Sequence, residues 1–101
     1  MATVRVSENE NTGTVTISIS ERFDFYSHKE FRASYKDRCN SFKYVIDLRD
    51  VKYIDSSALG MMLLLREHAQ KNSGSVTIAN CNPQIRKILQ IANFGRLFEV
   101  R

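Results

Sequence analysis

The stretch from Tyr44 to Arg66, YVIDLRDVKYIDSSALGMMLLLR, restricts the fold more than any other part of the chain. A near-continuous apolar strand, Phe42 to Leu48, crosses a short polar break into Ile54-Asp55-Ser56-Ser57 and enters an apolar helix with no linker. Strands of that kind are usually central and parallel, covered on both faces. The junction delivers two hydroxyls and a carboxylate to a helix N-terminus, which makes a small exposed site on a rigid platform. Ser56 stands where a side-chain oxygen can cap the free N–H groups of the first turn. A phosphate in the same place would be favoured by those donors and by the positive end of the helix dipole. The local pattern therefore leaves two readings of Ser56, a plain N-cap or a switch residue.

The flanking segments supply the rest of a layered fold. Thr14 to Ser20 alternates polar and β-branched apolar residues, the mark of a strand with one covered face. Thr3 to Ser7 alternates less regularly and Asn11-Thr12-Gly13 supplies a turn, so an antiparallel hairpin is expected to open the chain. Ser27 and Glu30 have capping-box spacing, and the helix they would open runs to Asp37 or Arg38 with Phe31 and Tyr35 turned inward. The second helix is expected from Ser57 to Lys71. Its first half is apolar nearly all round, which predicts burial on more than one side, and Asn72-Ser73-Gly74 offers residues for a left-handed exit. Ser75 to Ala79 reads as a strand. Asn82-Pro83 joins a cap to a proline at the first helical position, ahead of a buried stripe of Ile85, Ile88, Leu89 and Ala92. Leu97 to Val100 closes the chain as a short strand or docked tail. The order ββαβαβα predicts an α/β fold: one domain over residues 1–101, with a mixed sheet of four to five strands and helices mainly on one face.

Composition narrows the chemistry. An apolar fraction of 43% with a single proline points to a globule with a core, not a disordered tail. The net charge of +4 invites a nucleic-acid reading, but the basic residues are scattered from Arg22 to Arg96 without a dense run, so no nucleic-acid partner is expected. The first twelve residues lack a signal-peptide pattern, and the longest apolar run, Ala58 to Leu65, is too short to span a bilayer. A cytoplasmic protein with no membrane partner is the expectation. Cys39 and Cys81 lack the spacing of a zinc site or a disulfide framework and read as partly buried free thiols. A serine hydrolase would need a base beside its nucleophile. His68 lies three helical turns beyond Ser56, on the order of 16 Å, and His28 belongs to the first helix. The chain has four glycines and neither a Gly-x-Ser-x-Gly elbow nor a Gly-rich phosphate loop. A phospho-aspartate switch on Asp50 or Asp55 would need further carboxylates for Mg²⁺, and Val15 to Ser20 contains none. No enzyme activity, catalytic residue, metal or cofactor is expected, and the serine switch is the reading that remains.

The residues around Ser56 resemble the STAS domain of bacterial anti-sigma-factor antagonists. Asp47-Leu48, Tyr53-Ile54-Asp55-Ser56-Ser57 and Leu59-Gly60 follow that family's strand-to-helix pattern position by position. Ala58 departs from it, since the family usually has Gly there; the extra methyl is expected beside the phosphosite. Arg22-Phe23-Asp24-Phe25 falls where the family carries its loop before helix one, and Asn82-Pro83-Gln84-Ile85 to Phe94-Gly95 resembles its last helix and exit. The resemblance implies partner switching: the unphosphorylated form binds an anti-sigma factor or switch-type serine kinase, which phosphorylates Ser56, with Ser57 the fallback acceptor. Phosphorylation abolishes binding and a PP2C-type phosphatase reverses it. The implied partner-binding set is Phe23, Asp24, Phe25, Asp55, Ser56, Ser57, Ala58, Leu59 and Gly60, on a protein that is monomeric when free. The same family also implies an alternative, a STAS subunit of a lipid-transport ABC complex or stress-sensing assembly with a constitutive interface.

Overall fold

The computed structural model describes residues 3–101; Met1 and Ala2, part of the expected domain, lie outside the described residues. The strands are β1 (Thr3–Asn9), β2 (Thr14–Phe23), β3 (Lys43–Ile54), β4 (Ser75–Ala79) and β5 (Glu99–Val100). The helices are α1 (His28–Ala33), α2 (Ser56–Lys71) and α3 (Pro83–Ile91). Among the described residues they form one five-stranded sheet in the order β1-β2-β3-β4-β5. The β1–β2 pair is the expected antiparallel hairpin, and every other pair is parallel.

Strand alternation decides which face is covered. Val15, Ile17 and Ile19 of β2 are buried while the intervening Thr and Ser residues are partly exposed. The register places Val15 beside Tyr44 and Val76, and Ile17 beside Ile46 and Ile78. These rows meet Phe31 of α1, Met61, Met62 and Leu65 of α2, and Ile85 and Leu89 of α3 in one apolar cluster. Each fully buried side chain of this size contributes about 1.5–3 kcal/mol.

Several local expectations are corrected. β3 does not stop at Leu48; it runs through the polar stretch to Ile54, because β2 also continues to Phe23 and pairs with it throughout. Two register shifts, with Glu21 at φ 66°, accommodate the extra length as bulges. The Ser27/Glu30 capping box does not form. Ser27 is buried, makes no capping bond, and donates its hydroxyl to the Arg22 carbonyl at 3.3 Å; α1 ends at Ala33, short of the expected Asp37 or Arg38. Phe31 and Tyr35 are buried as expected. α2 is covered on one side only: Met61, Met62 and Leu65 are buried, whereas Leu63 and Leu64 face out. On α3, Ile85 and Leu89 are buried but Ile88 and Ala92 are exposed. Of Asn72-Ser73-Gly74, the residue that makes the expected left-handed exit from α2 is Ser73, at φ 61°. Gly74 is required for a different reason, since a Cβ there would run into the Phe42 carbonyl. Cys39 is exposed and Cys81 half-buried, both as free thiols.

Candidate functional site

The site sits where β2 and β3 end together. Phe23 is in register with Ile54, and the Asp55 N–H donates to the Phe23 carbonyl at 3.4 Å. The loop after β2 and the N-terminus of α2 are thus tied side by side at the carboxyl ends of parallel strands, the edge where α/β sheets place their sites.

The helix cap is Asp55, not Ser56. Asp55 is extended (φ −115°, ψ 179°), and its Oδ1 accepts from the Ala58 N–H at 3.0 Å. A side chain can reach back to these donors only from the residue before the helix, and Ser56 is already the first helical residue. Ser56 is exposed and Ser57 half-buried. Ser56 is therefore a free hydroxyl at the start of α2, beside the positive end of the helix dipole.

Ser56 begins an outward stripe. Gly60, Leu63 and Glu67 follow at helical spacing, all exposed, and Leu64 borders them. A Cβ on Gly60 would touch nothing within 4 Å, so packing does not require glycine there. Leu59 is partly buried against the core. Ala58 is fully buried, so its methyl points into the core and not, as expected from the sequence, toward a docking face.

The loop residues divide in the same way. Phe23 is fully buried, its ring 5.1 Å from that of Phe31; it is a core anchor and presents no side chain to a partner, a correction to its place in the implied binding set. Asp24 is also buried and works inside the loop. Its carboxylate accepts from the Tyr26 N–H and pairs with Arg22 Nε, each at 3.1 Å. What this frame displays is Phe25, 65% exposed, and Tyr26, 86% exposed. Tyr26 was not in the set read from the sequence, although it follows Phe25 directly. Phe25 stacks on His28, and His28 and Leu64 line one groove between α1 and α2, which joins the loop to the outward side of α2.

Among the described residues, neither histidine is hydrogen-bonded to Ser56. His68 Nε2 is 2.7 Å from the Arg38 carbonyl and its ring packs on Tyr35, while His28 is exposed at the start of α1. Among the described residues, no group of three His, Cys, Asp or Glu side chains is arranged to hold a metal, and no helix is long and apolar enough to cross a membrane. What the arrangement presents to solvent is the Ser56 hydroxyl at the start of α2, together with the rings of Phe25 and Tyr26.

Comparison with known proteins identifies the family and the fold. A family model described as "Mlab, STAS domain" matches residues 6–99. A STAS-domain containing protein of Pseudomonas aeruginosa (strain UCBPP-PA14) is 49% identical over 87 residues, 85% of this chain and 86% of the relative. The anti-sigma factor antagonist SpoIIAA in its unphosphorylated form is similar with a TM-score of 0.73 at 16% identity, covering 98% of this chain and 87% of that one. A sulfate transporter family protein from Wolinella succinogenes has a TM-score of 0.74 at 15% identity, over 87% of this chain and 71% of that one. At such identities the two structures show the shared fold alone.

Proposed function

The chain belongs to the STAS-domain family, and on that premise we propose that residues 1–101 form one regulatory binding module, an anti-sigma factor antagonist that works by partner switching. The unphosphorylated module binds an anti-sigma factor or switch-type serine kinase through Ser56, Ser57, Leu59, Gly60 and the displayed Phe25 and Tyr26. The kinase phosphorylates Ser56, binding is lost, and a PP2C-type phosphatase restores it. The module is a cytoplasmic monomer when free and performs no catalysis itself.

One observation carries this reading. Asp55 makes the capping bond at the start of α2, which leaves the Ser56 hydroxyl exposed and free to be modified. Ser57, half-buried, is the poorer acceptor. The similarity to SpoIIAA, an antagonist with unphosphorylated and phosphorylated forms, supports a module that can carry a phosphate. A phosphate adds roughly −1.5 to −2 charge and three acceptor oxygens. Beside the Asp55 carboxylate it would turn the start of α2 strongly negative. A hundredfold loss of affinity requires only about 2.7 kcal/mol, within reach of one buried like-charge clash at an interface.

The test is a quantitative pull-down from source-cell lysate with wild-type, Ser56→Ala and Ser56→Asp baits, with phosphosite mapping of the protein recovered from the same cells. The expected result is a kinase-like partner on wild type and Ser56→Ala, lost on Ser56→Asp, together with phosphate on Ser56. Equal retention by all three baits would replace the switch with a constitutive interface, as in a transport or stress-sensing subunit.

A further inference from the structure

The flank of β3 beyond its pairing with β4 carries a second surface. β4 pairs only with Lys43–Asp47, so among the described residues the rest of β3 has no strand on that side. α3 lies against it instead, tied by the Asn82 side chain donating to the Val51 carbonyl at 3.2 Å. Between them runs an open groove lined by Tyr53, Ile54, Ile85, Ile88 and Ile91, with Lys52 and Lys87 on its rim. The apolar lining is exposed: Ile91 is 74% exposed and Tyr53 45%. Ile88 and Ile91 stand off the buried Ile85/Leu89 row, so the core does not use them.

We propose that this groove docks an acidic amphipathic helix of a protein partner. Its exposed apolar lining, between one strand and one helix, suits the apolar face of a helix, read as anchors at i, i+3 or i+4, and i+7. Charge selects the acidic class. The lining includes two lysines and no carboxylate. The Arg22 guanidinium, 4.2 Å over the Tyr53 ring, is committed to Asp24 at 3.1 Å and adds no free charge. Glu21 pairs with Lys52 at 3.6 Å, a solvent-exposed contact, so these three cations and two acids keep a net positive charge carried chiefly by Lys87. Flanking Asp or Glu residues on a docked helix would face these cations, while a basic helix would be repelled. The groove excludes Ser56, so this inference stands apart from the switch and survives its failure.

The experiment is a titration of the isotope-labelled full chain, followed by amide chemical shifts, with a designed helical peptide of about four turns. The peptide carries Leu and Ile at the anchor spacing and Glu elsewhere; a control replaces every Glu with Lys. Shifts confined to residues 52–54 and 84–91 are expected, with affinity falling at least about tenfold at high salt and about tenfold in Lys52→Glu/Lys87→Glu. Ile91→Ser should also abolish binding without lowering the melting temperature, because Ile91 is exposed. Absence of shifts, shifts on another surface, or equal binding of the Lys control would overturn the proposal. So would a dimer in sedimentation that Ile91→Ser dissolves, which gives the groove to a second copy. Co-sedimentation with phosphatidylglycerol vesicles, lost in the double lysine variant, would give it to a lipid surface.

Discussion

Asp55→Ala and Ser56→Ala, compared side by side, test the assignment on which the site depends. The Asp55 carboxylate accepts one N–H bond at 3.0 Å and places negative charge at the N-terminus of a 16-residue helix. Removing an Asp cap costs about 1 kcal/mol, and losing the charge–dipole contact adds about 0.3–1 kcal/mol. Asp55 is half-buried, so solvent screening keeps the second contribution near the lower end, for a total of about 1–2 kcal/mol. For a domain of this size that corresponds to a fall in Tm of about 4–15 °C. Ser56 makes no capping bond and alanine is the better helix former, so Ser56→Ala should stay within about 0.3 kcal/mol of wild type. Urea and thermal unfolding followed by far-UV circular dichroism reads both, with Asp55→Asn recovering most of the loss because it keeps the acceptor oxygen. Equal destabilisation by Ser56→Ala and Asp55→Ala would refute the reasoning, since Ser56 would then be a cap and its hydroxyl would not be free.

Gly60→Ala should raise stability by about 0.5–1 kcal/mol in the same assay, because Gly60 is in a helix interior with open space at its Cβ position; the same variant should weaken partner binding if the flat spot beside Ser56 is part of the docking face. Gly74→Ala should do the opposite and cost about 2 kcal/mol or more, since the new Cβ meets the rigid Phe42 backbone. Tyr44→Phe should be neutral or stabilising by up to about 1 kcal/mol, because the buried Tyr44 hydroxyl has no hydrogen-bond partner among the described residues; a loss above that would reveal a bridging water. Burial also pushes the Tyr35 and Tyr44 hydroxyls above their ordinary value. Above about pH 10 the unfolded chain releases these protons first and binds fewer than the folded one, so stability should fall with rising pH, less steeply in Tyr44→Phe.

Much of this architecture is legible in the sequence because its signals are local. The alternation of Thr14 to Ser20 and the Asn82-Pro83 helix start rest on one element's own periodicity or capping chemistry and are found where the pattern places them, and the Asp-Ser-Ser junction is found with its cap one residue earlier than expected. Most of the departures come from contacts made outside the element concerned. Arg49 to Tyr53 looks like a polar break but is strand because β2 bulges to follow it, and neither half predicts the other. Ser27 has the spacing of a cap, yet a carbonyl five residues back, brought close by the turn after β2, takes its hydroxyl. Phe23 and Phe25 are alike in sequence and opposite in fate, because one completes a strand against Ile54 and the other begins the exposed turn. The one-residue error at the cap, Ser56 for Asp55, is the ordinary uncertainty of a helix boundary, and here it changes the function of the residue.

That boundary also fixes what a phosphate on Ser56 would do. Asp55 already satisfies the Ala58 N–H, and Arg22, the basic residue of the adjoining loop, is committed to Asp24 and to the Tyr53 ring. A phosphate would rest against the dipole end of α2 without displacing either arrangement, and favourable contact there is worth about 0.3–1 kcal/mol. Repulsion from Asp55 opposes this contribution in part, so the two nearly cancel. Phosphorylated and unmodified protein should then unfold at urea midpoints that differ by less than about 1 kcal/mol in stability, with unchanged helix content, while affinity for the partner differs by about a hundredfold. A loss of several kcal/mol on phosphorylation would mean that the first turn of α2 melts, and the switch would then act by unfolding its own docking face instead of recharging it.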